Sequence, residues 1–142
     1  MLIHLLSVSL ALIFFIIGGV HIYWFFGGKW GLNSAIPSTD SGDVSMRPSK
    51  FATLMVAFGL ISFGLFYLVM GGLLKIESTD ATLKFVGVSI PIIFLVRAIG
   101  DFNYVGFFKK TKNTHFAKID RKYFSPLCLL IAISGLYIYF FR

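Results

Sequence analysis

The chain has 142 residues, of which 57% are hydrophobic, 18% aromatic and only 13% charged. Soluble domains are about a quarter charged, so water-soluble globular, nucleic-acid-binding and disordered readings fall away and an integral membrane protein is left. The formal net charge of +7 then reads as a topology signal, and the single cysteine excludes an intrachain disulfide and any cysteine-built metal site.

Polar stretches divide the chain into four apolar runs, at about 2–27, 51–74, 82–100 and 124–141. A helix needs about 20 apolar residues to cross the hydrocarbon, and it satisfies every backbone amide internally. The sequence therefore predicts an all-α integral membrane four-helix bundle in a single transmembrane domain. The first run has no basic leader, is long for a signal peptide and shows no small-x-small cleavage site, so it is expected to be a retained helix. The polar stretch 37–49, which includes Asp40, is expected to be the most mobile part of the chain.

Lysine and arginine counts orient the four spans. The first connection carries Lys29, Arg47 and Lys50, and the third carries Lys109, Lys110, Lys112, Lys118, Arg121 and Lys122 behind Arg97. The other side holds only Lys75, Lys84 and Arg142. The positive-inside rule makes the first and third connections cytoplasmic and both termini external. Aromatic clusters at Tyr23 to Phe26, at Phe107 and Phe108, and at Tyr137 to Phe140 fit interfacial anchors.

Membrane helices associate through small residues. Candidate packing stripes are Gly18, His21 and Gly28 in the first helix; Ala52, Gly59 and Ser62 in the second; and Ser125, Cys128, Ala132 and Gly135 in the fourth. Pro91 removes one backbone bond from the third helix, and Ser125-Pro126 reads as the N-cap and first residue of the fourth. A weak parallel two-hairpin repeat is visible: at an offset of 80, His21, Trp24 and Lys29 fall on Asp101, Tyr104 and Lys109.

The polar residues at membrane depth need a reason, because each costs about 2.5–3.5 kcal/mol to insert at the bilayer centre. His21, Trp24, Arg97, Asp101, Tyr104, Asp120 and Ser125 all fall at the cytoplasmic end and form the candidate ligand-binding set. Arg97 and Asp101, four apart, share a helix face and are expected to pair. The plainer readings are a snorkelling Arg97, an Asp120 that caps the fourth helix or pairs with Arg121 or a neighbouring lysine, and a hydrogen-bonded His21. No metal site and no cofactor are expected: the three histidines lie at 4, 21 and 115, and His4 and His21 share one helix, roughly 25 Å apart. Ser125, His21 and Asp101 or Asp120 could form a hydrolytic group, but no nucleophile-elbow motif accompanies them.

The run Arg97-Ala98-Ile99-Gly100-Asp101-Phe102, with Gly106-Phe107-Phe108-Lys109, Asp120, Tyr123 and Ser125-Pro126-Leu127-Cys128, resembles a family of small four-helix bacterial membrane proteins that is a domain of unknown function. His21, Trp24, Gly28, Trp30, Gly31 and Pro37 fit its first half. The resemblance implies four helices in a bacterial inner membrane and brings no activity.

Three functions compete on the residues alone. The first is a cytoplasm-facing polar pocket that binds or moves a small molecule, ion or lipid headgroup. Arg97 would hold the anion there, and transport by so narrow a bundle would favour a homodimer. The second is an accessory or immunity protein acting on a membrane-protein partner through its helices. The third is an intramembrane enzyme acting on a lipid or quinone. The lipid bilayer is the expected partner in all three, and nucleic acid in none.

Overall fold

The computed structural model describes residues 1–39, 41 and 47–142. Asp40 and residues 42–46 of the polar stretch 37–49 lie outside the described residues, and with them the expectation of mobility there. Four helices are long and apolar enough to cross a membrane: α1 (Leu2–Phe25), α3 (Lys50–Met70), α4 (Asp80–Ile99) and a continuous helical segment His115–Phe141. The shortest has 20 residues and rises roughly 30 Å, the thickness of the hydrocarbon. A short helix α2 (Leu32–Ala35) lies in the first connection.

The fourth span differs from its expected form. It begins ten residues before Ser125, at α5 (His115–Ile119), where the Thr114 side chain accepts the N–H of Ala117 as an N-cap. It continues through a π-helical turn (Asp120–Phe124) into α6 (Ser125–Phe141). Ser125 is therefore an interior helical residue and not a cap. Pro126 explains the wide turn. It has no N–H for the carbonyl of Lys122, and its ring crowds that carbonyl. The helix responds by opening one turn, in which the Ser125 N–H bonds back to Asp120.

The helices pair as two hairpins, α1 against α3 and α4 against α6, joined mainly through α1 and α6. Phe14 is the centre of the apolar core. Its ring stacks on Tyr67 at 5.8 Å and meets Phe63 and Phe94 at steeper angles. Leu10, Ile90, Ile131 and Ile138 close around it, each no more than 1% exposed.

Small residues set the close approaches, though not all of the expected ones. Ser125, Cys128, Ala132 and Gly135 are all buried along α6, as the spacing predicts. Gly135 in particular accepts Pro91 and the Tyr67 hydroxyl so closely that a Cβ there would collide with both. In α3 the packed face is instead Ala57, Leu60, Gly64 and Tyr67. Ala52 and Ser62 are exposed, and a side chain on Gly59 would meet nothing. In α1 Gly18 packs on Ile61, while Gly28 lies beyond the helix against the Tyr23 ring. Membrane packing favours whichever small residue faces a neighbour, and three small residues at helical spacing do not say which face that is.

The connections after α1 and after α4 meet at one end of the molecule. Helices α2 and α5 touch there, and the Ser34 hydroxyl and His115 Nε2 are 3.0 Å apart. This is the end that carries the candidate site.

Candidate functional site

The site is organised by Asp120, which is fully buried in the π-helical turn. One carboxylate oxygen accepts from the Arg97 guanidinium at 2.9 Å. The other accepts from Lys109 Nζ at 2.5 Å, from the Gly106 N–H at 2.9 Å and from the Ser125 hydroxyl at 3.2 Å. Lys109 is itself only 4% exposed and also donates to the Gly106 carbonyl at 3.0 Å. A buried carboxylate with two cations and two further donors is satisfied as a hydrogen-bond acceptor. Its cluster still carries one excess positive charge. Arg97 Nη1 is buried without a hydrogen-bond partner among the described residues.

The loop that brings Lys109 inward is built on two glycines. Gly100 and Gly106 both have φ of +90°, and their backbones are in contact. A Cβ on Gly100 would strike the Val105 carbonyl, and one on Gly106 would strike the Ile99 carbonyl and Gly100 Cα. Only residues without side chains permit this crossing. Phe107 N–H then donates to the free carbonyl of Ala98 at 2.9 Å, which ties the loop to the end of α4.

Asp101 does not pair with Arg97. Its carboxylate turns instead onto the loop and accepts the N–H groups of Asn103, Tyr104 and Val105 at 2.8–3.0 Å. Desolvation pushes its carboxyl upward, but the hydrogen bonds from Val105, Tyr104 and Asn103 outweigh this and hold it below the ordinary carboxylate value. The helix α4 ends at Ile99, so the one-face relation between residues 97 and 101 is broken before it can act. Tyr104 contributes its backbone to this turn.

His21 and Trp24 stay on α1. The His21 Nδ1 lies 2.8 Å from the Ile17 carbonyl one turn back, and its ring meets Trp24 edge-on at 4.9 Å. Trp24 donates to the Trp30 carbonyl and so folds the end of the first connection back on the helix. Among the described residues no hydrogen bond or ion pair joins His21 or Trp24 to Arg97, Asp120 or Ser125. The candidate set thus divides into three: an Arg97–Asp120–Ser125 cluster, an Asp101–Tyr104 turn and a His21–Trp24 pair. A serine–histidine–aspartate group is not assembled.

Lys109, which the sequence places among the lysines of the third connection, is the buried second cation of the cluster. Its signal is the Gly106-Phe107-Phe108 run before it, which is too apolar for a solvated loop.

Beside this cluster lies an open cleft of about 270 Å³. Buried Ala117 and Lys109 line it with the partly exposed Phe107, and four exposed cations complete it: Lys112, Lys118, Arg121 and Lys122. No carboxylate lines it. Among the described residues no group of three or more His, Cys, Asp or Glu side chains could hold a metal ion.

Fold and site together define a four-helix membrane protein with an Arg–Asp–Lys clasp, closed on the buried Asp120, at its basic end. Residues 14–134 match a family described as protein of unknown function (DUF3995), and the chain belongs to that family. No curated protein and no solved structure matches the chain.

Proposed function

We propose that this chain is a multi-pass protein of a bacterial cytoplasmic membrane that binds a small anionic molecule or lipid headgroup at its cytoplasmic end. The cleft carries the reading: four exposed cations and no carboxylate surround it, directly beside a clasp that already holds excess positive charge. Residues 97–122 contain seven cations and two carboxylates, and both carboxylates are committed, Asp120 to the clasp and Asp101 to its loop. Like charges this close repel unless a bound anion neutralises them.

The packed interior supports binding rather than passage. Phe14, Ile131 and Ile138 are fully buried where a path would run, and membrane passage of an ion calls for polar lining groups.

The test is lipid retention. The purified chain in micelles doped equally with neutral and anionic lipids should keep the anionic ones. Lys118→Gln with Arg121→Gln should lower that retention several-fold. Retention that does not distinguish anionic from neutral lipid, together with no binding of inorganic phosphate, would overturn the proposal.

A further inference from the structure

We propose that the cleft selects a phosphate monoester, carried on a lipid or free. This rests on the anion-binding reading above and names the anion. Three features of the cleft carry it.

The first is size. At about 270 Å³ the cleft lies just under the roughly 300–1,000 Å³ of pockets that enclose drug-sized ligands. It admits a phosphate together with the group that carries it, and not a large ligand.

The second is the lining. A zwitterionic headgroup would bring an ammonium or choline group into a cleft with no acceptor side chain. Asp120 cannot serve, because Arg97, Lys109, Gly106 and Ser125 already occupy it. Zwitterionic lipids are thus rejected by unpaired charge.

The third is how the cations are arranged. Lys118, Arg121 and Lys122 stand at i, i+3 and i+4 along one helical segment, so they share a face and repel one another. Lys112 approaches from the loop before α5. Among the described residues the ion pairs are those of Asp120 with Arg97 and with Lys109, and none involves these four. A phosphodiester brings one negative charge. A monoester brings between about 1.5 and 2 at neutral pH on three terminal oxygens, enough to accept from a guanidinium fork and separate ammonium groups together. The apolar contribution of Phe107 and Ala117 suits the carbon next to the ester oxygen.

The experiment places the full-length chain in phosphatidylcholine nanodiscs containing phosphatidic acid, a monoester lipid, or phosphatidylglycerol, a diester. Lipids are matched for total charge, and retained lipid is read by native mass spectrometry. Phosphatidic acid should be retained about tenfold over phosphatidylglycerol. The triple variant Lys118→Gln, Arg121→Gln and Lys122→Gln should lose that preference. All three residues are exposed and the substitutions relieve repulsion, so the fold should persist. A second triple variant, Lys29→Gln, Lys50→Gln and Lys110→Gln, removes the same charge outside the cleft and should keep the preference.

Inorganic phosphate distinguishes the sources. Displacement of phosphatidic acid by millimolar phosphate assigns the site to a soluble monoester, and resistance assigns it to the lipid. Equal retention of both anionic lipids overturns the monoester assignment and leaves the anion site standing, whereas equal loss in the two triple variants overturns the assignment to this cleft. Retention of neither lipid, with no phosphate binding, overturns both.

Discussion

At the scale of single residues, Asp120 is the group on which the basic end depends. Removing it leaves Lys109 as a buried cation without a counter-charge, a loss of about 3–5 kcal/mol where the pair is fully buried. Asp120→Ala should therefore lower the unfolding temperature in detergent far more than Lys109→Met does. The methionine variant removes the cation and leaves Asp120 with Arg97, Gly106 and Ser125. Equal losses would show that the buried charge is not the source of the cost. Asp101 belongs to a milder regime, because water reaches the loop it holds. Its folded carboxyl sits below the unfolded value of about 3.9. Its contribution is therefore present above that value and lost as pH falls through the lower folded one. The protection of the Asn103, Tyr104 and Val105 amides, relative to their intrinsic exchange at each pH, should hold at neutral pH and fall only in strong acid. Asp101→Ala should remove that protection already at neutral pH. That Arg97, Asp120 and Ser125 come together at one end of the molecule was legible in the sequence, since each is a polar residue beside an apolar run. The partner of Arg97 was not. A neighbour four residues away is visible in one dimension, whereas Asp120 lies 23 residues along and is reached only because the glycine loop folds back.

At the scale of elements, the informative feature is a helix that runs through a Ser-Pro pair. Ser-Pro signals a helix start because the first turn needs no N–H from proline. The same pair inside a helix forces an opened turn, and sequence alone does not separate the two. The π-helical turn also sets the bearing of Asp120. Pro126→Ala would allow ordinary α geometry and turn the preceding segment by about 100° relative to α6. In a plain helix that substitution stabilises by about 3 kcal/mol. Here it should lower the unfolding temperature, because Asp120 would swing away from Lys109 and Ser125. A rise would mean that the clasp tolerates either geometry. The α6 stripe was legible because four small residues on one helix left one face to choose. The α3 face was not, because Gly59 and Gly64 compete and only the partner Phe15 decides for Gly64.

At the scale of the whole molecule, two helix hairpins share a core, and their connections meet at one end through Ser34 and His115. Ten of the 13 lysines and arginines belong to that end, with Lys75, Lys84 and Arg142 at the other. Insertion retains short basic connections on the cytoplasmic side, so the proposed orientation has the cleft cytoplasmic and Glu77 outside. Single cysteines at exposed positions test the orientation directly, as Glu77→Cys and Lys112→Cys. The native Cys128 is buried against the α6 seam and is best replaced by alanine in this background. On intact cells a membrane-impermeant maleimide should label Glu77→Cys and spare Lys112→Cys, and inverted vesicles should reverse the pattern. Labelling of Lys112→Cys from outside would put the basic cleft on the external face. The anion chemistry of Lys118, Arg121 and Lys122 would be unchanged, but the ligand would have to come from the outer leaflet or the space beyond it.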